Sequence, residues 1–100
     1  MEINISEKDN YSILNLIGRL DTNTDGSLED FLSNLFNQNK KFIILDLEKL
    51  DYISSAGLRV LLGAQKTINT LNGDMIVKNT NSDVMEVFSI TGFTKILKII

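Results

Sequence analysis

Two adjacent serines, Ser54 and Ser55, lie between an acidic connection and an apolar run that starts at Ala56. A hydroxyl where a helix begins meets unpaired backbone N–H groups and the positive end of the helix dipole, an environment that favours a negative charge. The chain has no histidine and no cysteine, so no imidazole is present to take the serine proton. The G-x-S-x-G nucleophile elbow is absent too, because Ile53 stands where its first glycine would be and only Gly57 matches. Ser55 therefore reads as a hydroxyl that is modified rather than one that catalyses, and the chain is not expected to be an enzyme. A serine at this point also suits a helix N-cap, worth about 1 kcal/mol. The two roles are compatible if the hydroxyl stays exposed.

Composition narrows the choices further. One hundred residues, 43% of them hydrophobic, suffice for one domain over 1–100 with a single core. The net charge of −3 argues against a general binder of nucleic acid or anionic membrane, since both need a basic face. Without Cys or His, disulfides and most zinc or redox-metal sites drop out; composition leaves open a carboxylate-only magnesium site, but no metal or cofactor is expected. The start, MEINISEKDN, has no basic region followed by an apolar run, and no segment approaches the roughly 18 apolar residues of a membrane span. A cytoplasmic location follows as an expectation.

The elements that must position the serines can be read from periodicity. Ile3 and Ile5 alternate with polar residues, Lys8-Asp9-Asn10 suggests a turn, and Tyr11 to Ile17 reads as a second strand closing an antiparallel hairpin that Gly18 ends. After the polar loop RLDTNT, residues Leu28, Phe31, Leu32, Leu35 and Phe36 recur at helical spacing through about Asn37. Phe42-Ile43-Ile44-Leu45 is a continuous apolar run, expected to be a strand buried on both faces, with Asp46 at its C-terminal edge. A helix from about Ala56 to Leu71 is closed by Asn72-Gly73, and Met75-Ile76-Val77 makes another buried strand. Asn81 or Ser82 opens a short helix that Gly92 stops, and Ile96 to Ile100 is expected to be a final strand.

The order after the hairpin, α, β, α, β, α, β, predicts an α/β fold. Its sheet should be mixed but mainly parallel, with about five strands, an antiparallel N-terminal strand and three or so helices. In such sheets, sites collect at the C-terminal strand edge. Asp21, Asp46, Ser54 and Ser55 could all reach it. Asp46 equally suits a strand-end residue bonded to loop amides, and Asp21 a cap for the following helix. On the central helix, Ser55, Arg59, Leu62 and Lys66 fall on one stripe, with Val60, Leu61, Ala64, Ile68 and Leu71 left for the core. That stripe should face solvent.

Three separated segments, Gly18-Arg19-Leu20-Asp21, Ile44-Leu45-Asp46-Leu47 and Tyr52-Ile53-Ser54-Ser55-Ala56-Gly57-Leu58, resemble the anti-sigma factor antagonist family, whose domain is called STAS. The third is the specific one. The resemblance implies a STAS-like fold and a phosphorylation-switched binding module. Unmodified protein would bind an anti-sigma factor that is also a serine kinase, releasing a sigma factor for transcription, and a serine phosphatase would restore the active form. In that family the serine two positions before the Gly-Leu pair is phosphorylated, which places the role on Ser55, with Ser54 as the second candidate. Known members have Asp just before that serine and Ser or Thr just after it, whereas this chain has Ser54 and Ala56.

The partner-binding surface is expected to include Asp21, Thr22, Asp46, Ser54, Ser55, Arg59, Leu62 and Lys66. The alternative is a stand-alone STAS docking subunit of a transporter or stress-sensing complex. Phosphorylation adds about −1.5 to −2 charges, and an exposed helix N-terminus stabilises an anion by only about 0.3 to 1 kcal/mol. In an interface, one carboxylate about 6 Å away at an effective dielectric near 20 repels each unit of that charge by roughly 3 kcal/mol. The phosphate should block docking and leave the fold alone.

Overall fold

A computed structural model describes all residues, Met1–Ile100. The hairpin forms as expected: β1 (Glu2–Lys8) pairs antiparallel with β2 (Tyr11–Leu20) around Asp9 and Asn10, both at positive φ. Short polar residues tolerate that region, and a two-residue turn of this kind matches the strand twist. The helices are α1 (Asp25–Asn37), α2 (Ser55–Thr70) and α3 (Ser82–Thr91), and the remaining strands are β3 (Phe42–Asp46), β4 (Leu50–Ile53), β5 (Asp74–Lys78) and β6 (Lys98–Ile99). The sheet has six strands in the order β1-β2-β3-β5-β6, with β4 paired to β2, and every pairing after the hairpin is parallel. No helix is long and apolar enough to cross a membrane.

Four sequence expectations change. Gly18 does not end β2. The strand bulges there, with Gly18 at φ 106°, and runs on to Leu20. The part of the acidic connection from Leu50 to Ile53 is itself a strand, β4, which takes up the pairing along β2 that β3 leaves at Asp46. Gly18 N–H bonds to the Lys49 carbonyl at this junction, 3.0 Å apart. The run Phe42 to Leu45 is buried on one face only: Ile43 and Leu45 are covered, Phe42 and Ile44 are half-exposed, and Ile76 on β5 is half-exposed as well. At the C-terminus, Phe93–Lys95 forms a 3₁₀ turn and only Lys98–Ile99 pairs as strand. Apolar content alone does not report a partner, and a short run with no ladder to join stays irregular.

The core lies between the sheet and the helices. Leu14, Leu16, Ile43, Leu45, Met75 and Val77 from the strands meet Leu28, Leu32 and Leu35 of α1, Leu61, Ala64 and Ile68 of α2, and Val84 and Phe88 of α3. Burying each of these side chains larger than alanine contributes about 1.5 to 3 kcal/mol. This packing fixes the start of α2 against the ends of β2 and β4. Two glycines serve close approaches. A Cβ on Gly73 would lie 2.1 Å from the Lys41 carbonyl, which accepts the Asp74 N–H beside it. A Cβ on Gly57 would lie 2.7 Å from Leu20 Cγ and 3.0 Å from Ile53 Cγ1.

Candidate functional site: the first turn of α2

Ser54 and Ser55 play different parts. Ser54 is the N-cap, extended at φ −99° and ψ 175°, and its Oγ accepts the Gly57 N–H at 3.3 Å. Its own N–H donates to the Leu20 carbonyl at 2.9 Å, tying the helix start to the end of β2. Ser55 is the first helical residue. It is exposed, and its hydroxyl makes no hydrogen bond. The neighbours on either side of this hydroxyl are fixed by packing, since Ile53, Ala56, Gly57 and Leu58 are all buried.

The stripe expected on α2 behaves as its spacing predicts. Ser55, Arg59 and Lys66 are exposed and Leu62 is half-buried, while Val60, Leu61, Ala64 and Ile68 face the core. Leu71 is only half-buried. Arg59 and Lys66 form no ion pair, because the molecule's three salt bridges use Arg19, Lys40 and Lys98. Two unneutralised cations therefore run down the helix below Ser55.

The loop after β2 adds a second border. Asp21 Oδ1 accepts the Asn23 N–H at 2.9 Å, and its Oδ2 lies 3.5 Å from Arg19 Nε. The Asn23 amide holds the carboxyl below its usual pKa; burial opposes this, and Arg19 and Thr24 reinforce it. Asp21 does not cap α1 with its side chain. The α1 N-cap is Thr24, which has no side-chain capping bond and instead accepts the Asp21 N–H and donates to the Arg19 carbonyl, at 2.9 and 2.8 Å. Thr22 is exposed at the loop tip. Asp21 and Thr22 directly follow Leu20, whose carbonyl holds Ser54, so this loop and the serines adjoin.

Asp46 lies elsewhere. It pairs across from Asn15, five residues before Leu20 on β2, which at about 3.3 Å per residue sets it roughly 15 Å from the level of Ser54. Its Oδ1 accepts from the Glu48 N–H at 3.1 Å and from Asn79 Nδ2 at 3.0 Å. It lines a polar depression of about 260 Å³ with Asn4, Asn15, Glu48 and Lys49. The structure brings together the Asp21 loop, Ser54 and Ser55, with Arg59, Leu62 and Lys66 along the helix, and leaves Asp46 in a strand-end role.

Three residues at the site had no role read for them from spacing. The Arg19 guanidinium lies 4.2 Å from the centroid of the Tyr52 ring, an arrangement produced by the pairing of Arg19 with Tyr52 across β2 and β4. Gly57 permits α2 to sit directly on Leu20 and Ile53. All three lie inside motif segments, yet only the pairing of β4 with β2 shows why.

The family model for the STAS domain matches residues 2–100. The chain belongs to the STAS domain family. Over 99 residues it is 33% identical to a Bordetella bronchiseptica protein, BtrV, provisionally named an anti-sigma factor antagonist, covering 99% of this chain and 85% of that one. It is 29% identical over 100 residues to the anti-sigma F factor antagonist of Paenibacillus polymyxa, covering 99% of this chain and 86% of that protein. Two solved structures share the fold. One, from Thermotoga maritima, has a TM-score of 0.93 at 23% identity over 97% of this chain and 84% of that one. The other, Bacillus SpoIIAA in its phosphorylated form, has a TM-score of 0.77 at 20% identity over 99% of this chain and 91% of that one.

Proposed function

We propose that this chain is an anti-sigma factor antagonist whose docking is switched by phosphorylation of Ser55. Unphosphorylated, it binds an anti-sigma factor that is also a serine kinase and so releases a sigma factor. The docking face is the Asp21–Thr22 loop, the two serines, and Arg59, Leu62 and Lys66 on α2. The single observation that supports Ser55 most strongly is its exposed, unbonded hydroxyl beside a Ser54 hydroxyl already committed to the cap. A phosphate on Ser55 displaces no intramolecular bond, whereas one on Ser54 would disrupt the cap. The relatives named as anti-sigma factor antagonists support the partner class, and a serine phosphatase would complete the cycle.

The chemistry belongs to the partner. The kinase supplies ATP and magnesium, and this chain supplies the accepting oxygen and the surface around it. Asp21, with its carboxyl held ionised by its loop, adds like charge to a phosphate nearby. Incubation with a serine kinase of the anti-sigma class and ATP, followed by peptide mass analysis, should find one phosphate on Ser55 and none in Ser55→Ala. Phosphate on Ser54 alone, or a phosphorylated form captured by the kinase as tightly as the unmodified chain, overturns the assignment.

A further inference from the structure

β1 is an edge strand. It runs for seven residues, Glu2–Lys8, in unbroken register with β2, and no strand pairs with its other side. Edges are commonly blunted by proline, a bulge, shortness or a central charge. β1 has no proline and no bulge, and its charges, Glu2, Glu7 and Lys8, stand toward its ends. Apolar surface accompanies this edge. The connections β2 to α1 to β3, β4 to α2 to β5 and β5 to α3 to β6 all step the same way across the sheet, which places the helices on one face. The burial pattern agrees, since alternate residues of β2, β3 and β5 are mostly buried and those between them half-exposed. Ile3 and Ile5 pair with the buried Leu16 and Leu14 and so project on the helix side, where Ile5 is still 43% exposed.

The hairpin turn decides which backbone groups of β1 are free. In a two-residue hairpin the flanking residues exchange N–H and C=O, and bonded pairs then alternate along the strands. Asp9 and Asn10 form that turn, so Lys8 bonds to Tyr11, and Ser6, Asn4 and Glu2 also aim their backbone groups at β2. Those of Ile3, Ile5 and Glu7 point outward. An antiparallel copy of β1 on a two-fold axis at Ile5 sets Ile5 against Ile5 and Ile3 against Glu7, so outward groups meet outward groups, as an isologous interface requires. Side chains match in the same register. Asn4 falls opposite Ser6, and Glu2 of each copy opposite Lys8 of the other; neither Glu2 nor Lys8 has an ion pair within the single chain. Glu7, opposite Ile3, is already held by its own Ser12 at 2.9 Å and Lys40 at 3.2 Å. Sliding the copies by two residues shortens the overlap and separates Glu2 from Lys8. We propose that β1 pairs antiparallel with β1 of a second copy about Ile5, so that one sheet runs through both chains. The pairing does not depend on what Ser55 binds.

Sedimentation equilibrium of the full chain at low salt and concentrations up to about 1 mM, the weak end of specific association, should return a mass twice 11.2 kDa. Over the same range, amide exchange read by NMR should slow at Ile3, Ile5 and Glu7. Ile5→Pro removes an outward N–H that an edge strand can lose, and should weaken the dimer at least about tenfold. Lys8→Glu should weaken it about tenfold, because it turns two attractions into two repulsions. Combining Lys8→Glu with Glu2→Lys should restore it, since the exchanged charges still meet across the axis. Circular dichroism establishes that each variant is folded; Lys8→Glu, near the turn, carries the test if Ile5→Pro is not. A monomer at every concentration, exchange that slows elsewhere but not on β1, a dimer unchanged by Lys8→Glu or by a folded Ile5→Pro, or a double exchange no better than Lys8→Glu alone overturns the proposal.

Discussion

The starts of α2 and α3 are built alike and differ in their surroundings. Each has a side-chain N-cap: Ser54 Oγ accepts from Gly57 N–H, and Asn81 Oδ1 accepts from Val84 N–H at 2.8 Å. Each is followed by an exposed serine, Ser55 or Ser82. At α3, Asp83 follows in the first turn and Asn81 Nδ2 donates to the Leu50 carbonyl at 2.9 Å, so that end is an acidic strut against β4. At α2 there is no acidic residue in the first turn, Arg59 and Lys66 are free below it, and the Asp21 loop stands beside it. A serine at a helix start is common; what distinguishes Ser55 is its surroundings, two cations outside any ion pair and the adjoining Asp21 loop.

The strongest way to break this comparison is to charge both serines. Ser55→Glu should lower affinity for the anti-sigma kinase about a hundredfold, from repulsion of roughly 3 kcal/mol per unit charge, while Ser82→Glu should stay within about twofold, as for a neutral surface change. Titration calorimetry reads both, and equal losses would remove the distinction. Next in size is the packing beneath Ser55. Gly57→Ala drives a methyl into Leu20 and should cost about 1 to 3 kcal/mol in urea unfolding, whereas Gly63→Ala, where a Cβ meets nothing, should gain about 0.5 to 1 kcal/mol.

The caps give smaller effects of unequal size. Ser54→Ala should cost about 1 kcal/mol, and Asn81→Ala about 2 because it also loses the Leu50 bond. Equal values would show that the Leu50 contact contributes nothing. The smallest effect is that of Asp21, whose folded pKa is depressed. A depressed carboxyl contributes stability that is present above its unfolded pKa, near 3.9, and is lost as pH falls through the folded value. Asp21→Asn should therefore lower thermal stability slightly at neutral pH, converge on the native chain in acid, and so flatten the acid limb below about pH 4. An acid limb identical to that of the native chain would count against the loop geometry.

Much of the architecture was legible in order. The spacing of Leu28, Leu32 and Leu35, and of Val60, Leu61, Ala64 and Ile68, placed two helices to within about two residues, and the stripe from Ser55 to Lys66 came out on the exposed side. Strand ends were harder. Leu50 to Ile53 reads as an acidic loop because Asp51 and Tyr52 face outward and only its end residues are buried. Its status as a strand depends on β2 continuing past Gly18 to meet it. The same fact joins Arg19 to Tyr52 and the Asp21 loop to Ser54, and separates Asp46 from both.

The sequence by itself determined where helices start and stop, which hydroxyls stand at a helix mouth, and that no imidazole or thiol serves them. These are local properties, set by side-chain period and capping chemistry within a few residues. Only the tertiary structure decided which of the two serines is occupied by its cap, which carboxylate is a neighbour, and that one face of the sheet is left without helices. Each of these depends on pairings between residues far apart in the chain. A strand's partner, and the side on which its crossover returns, are not written in its own residues.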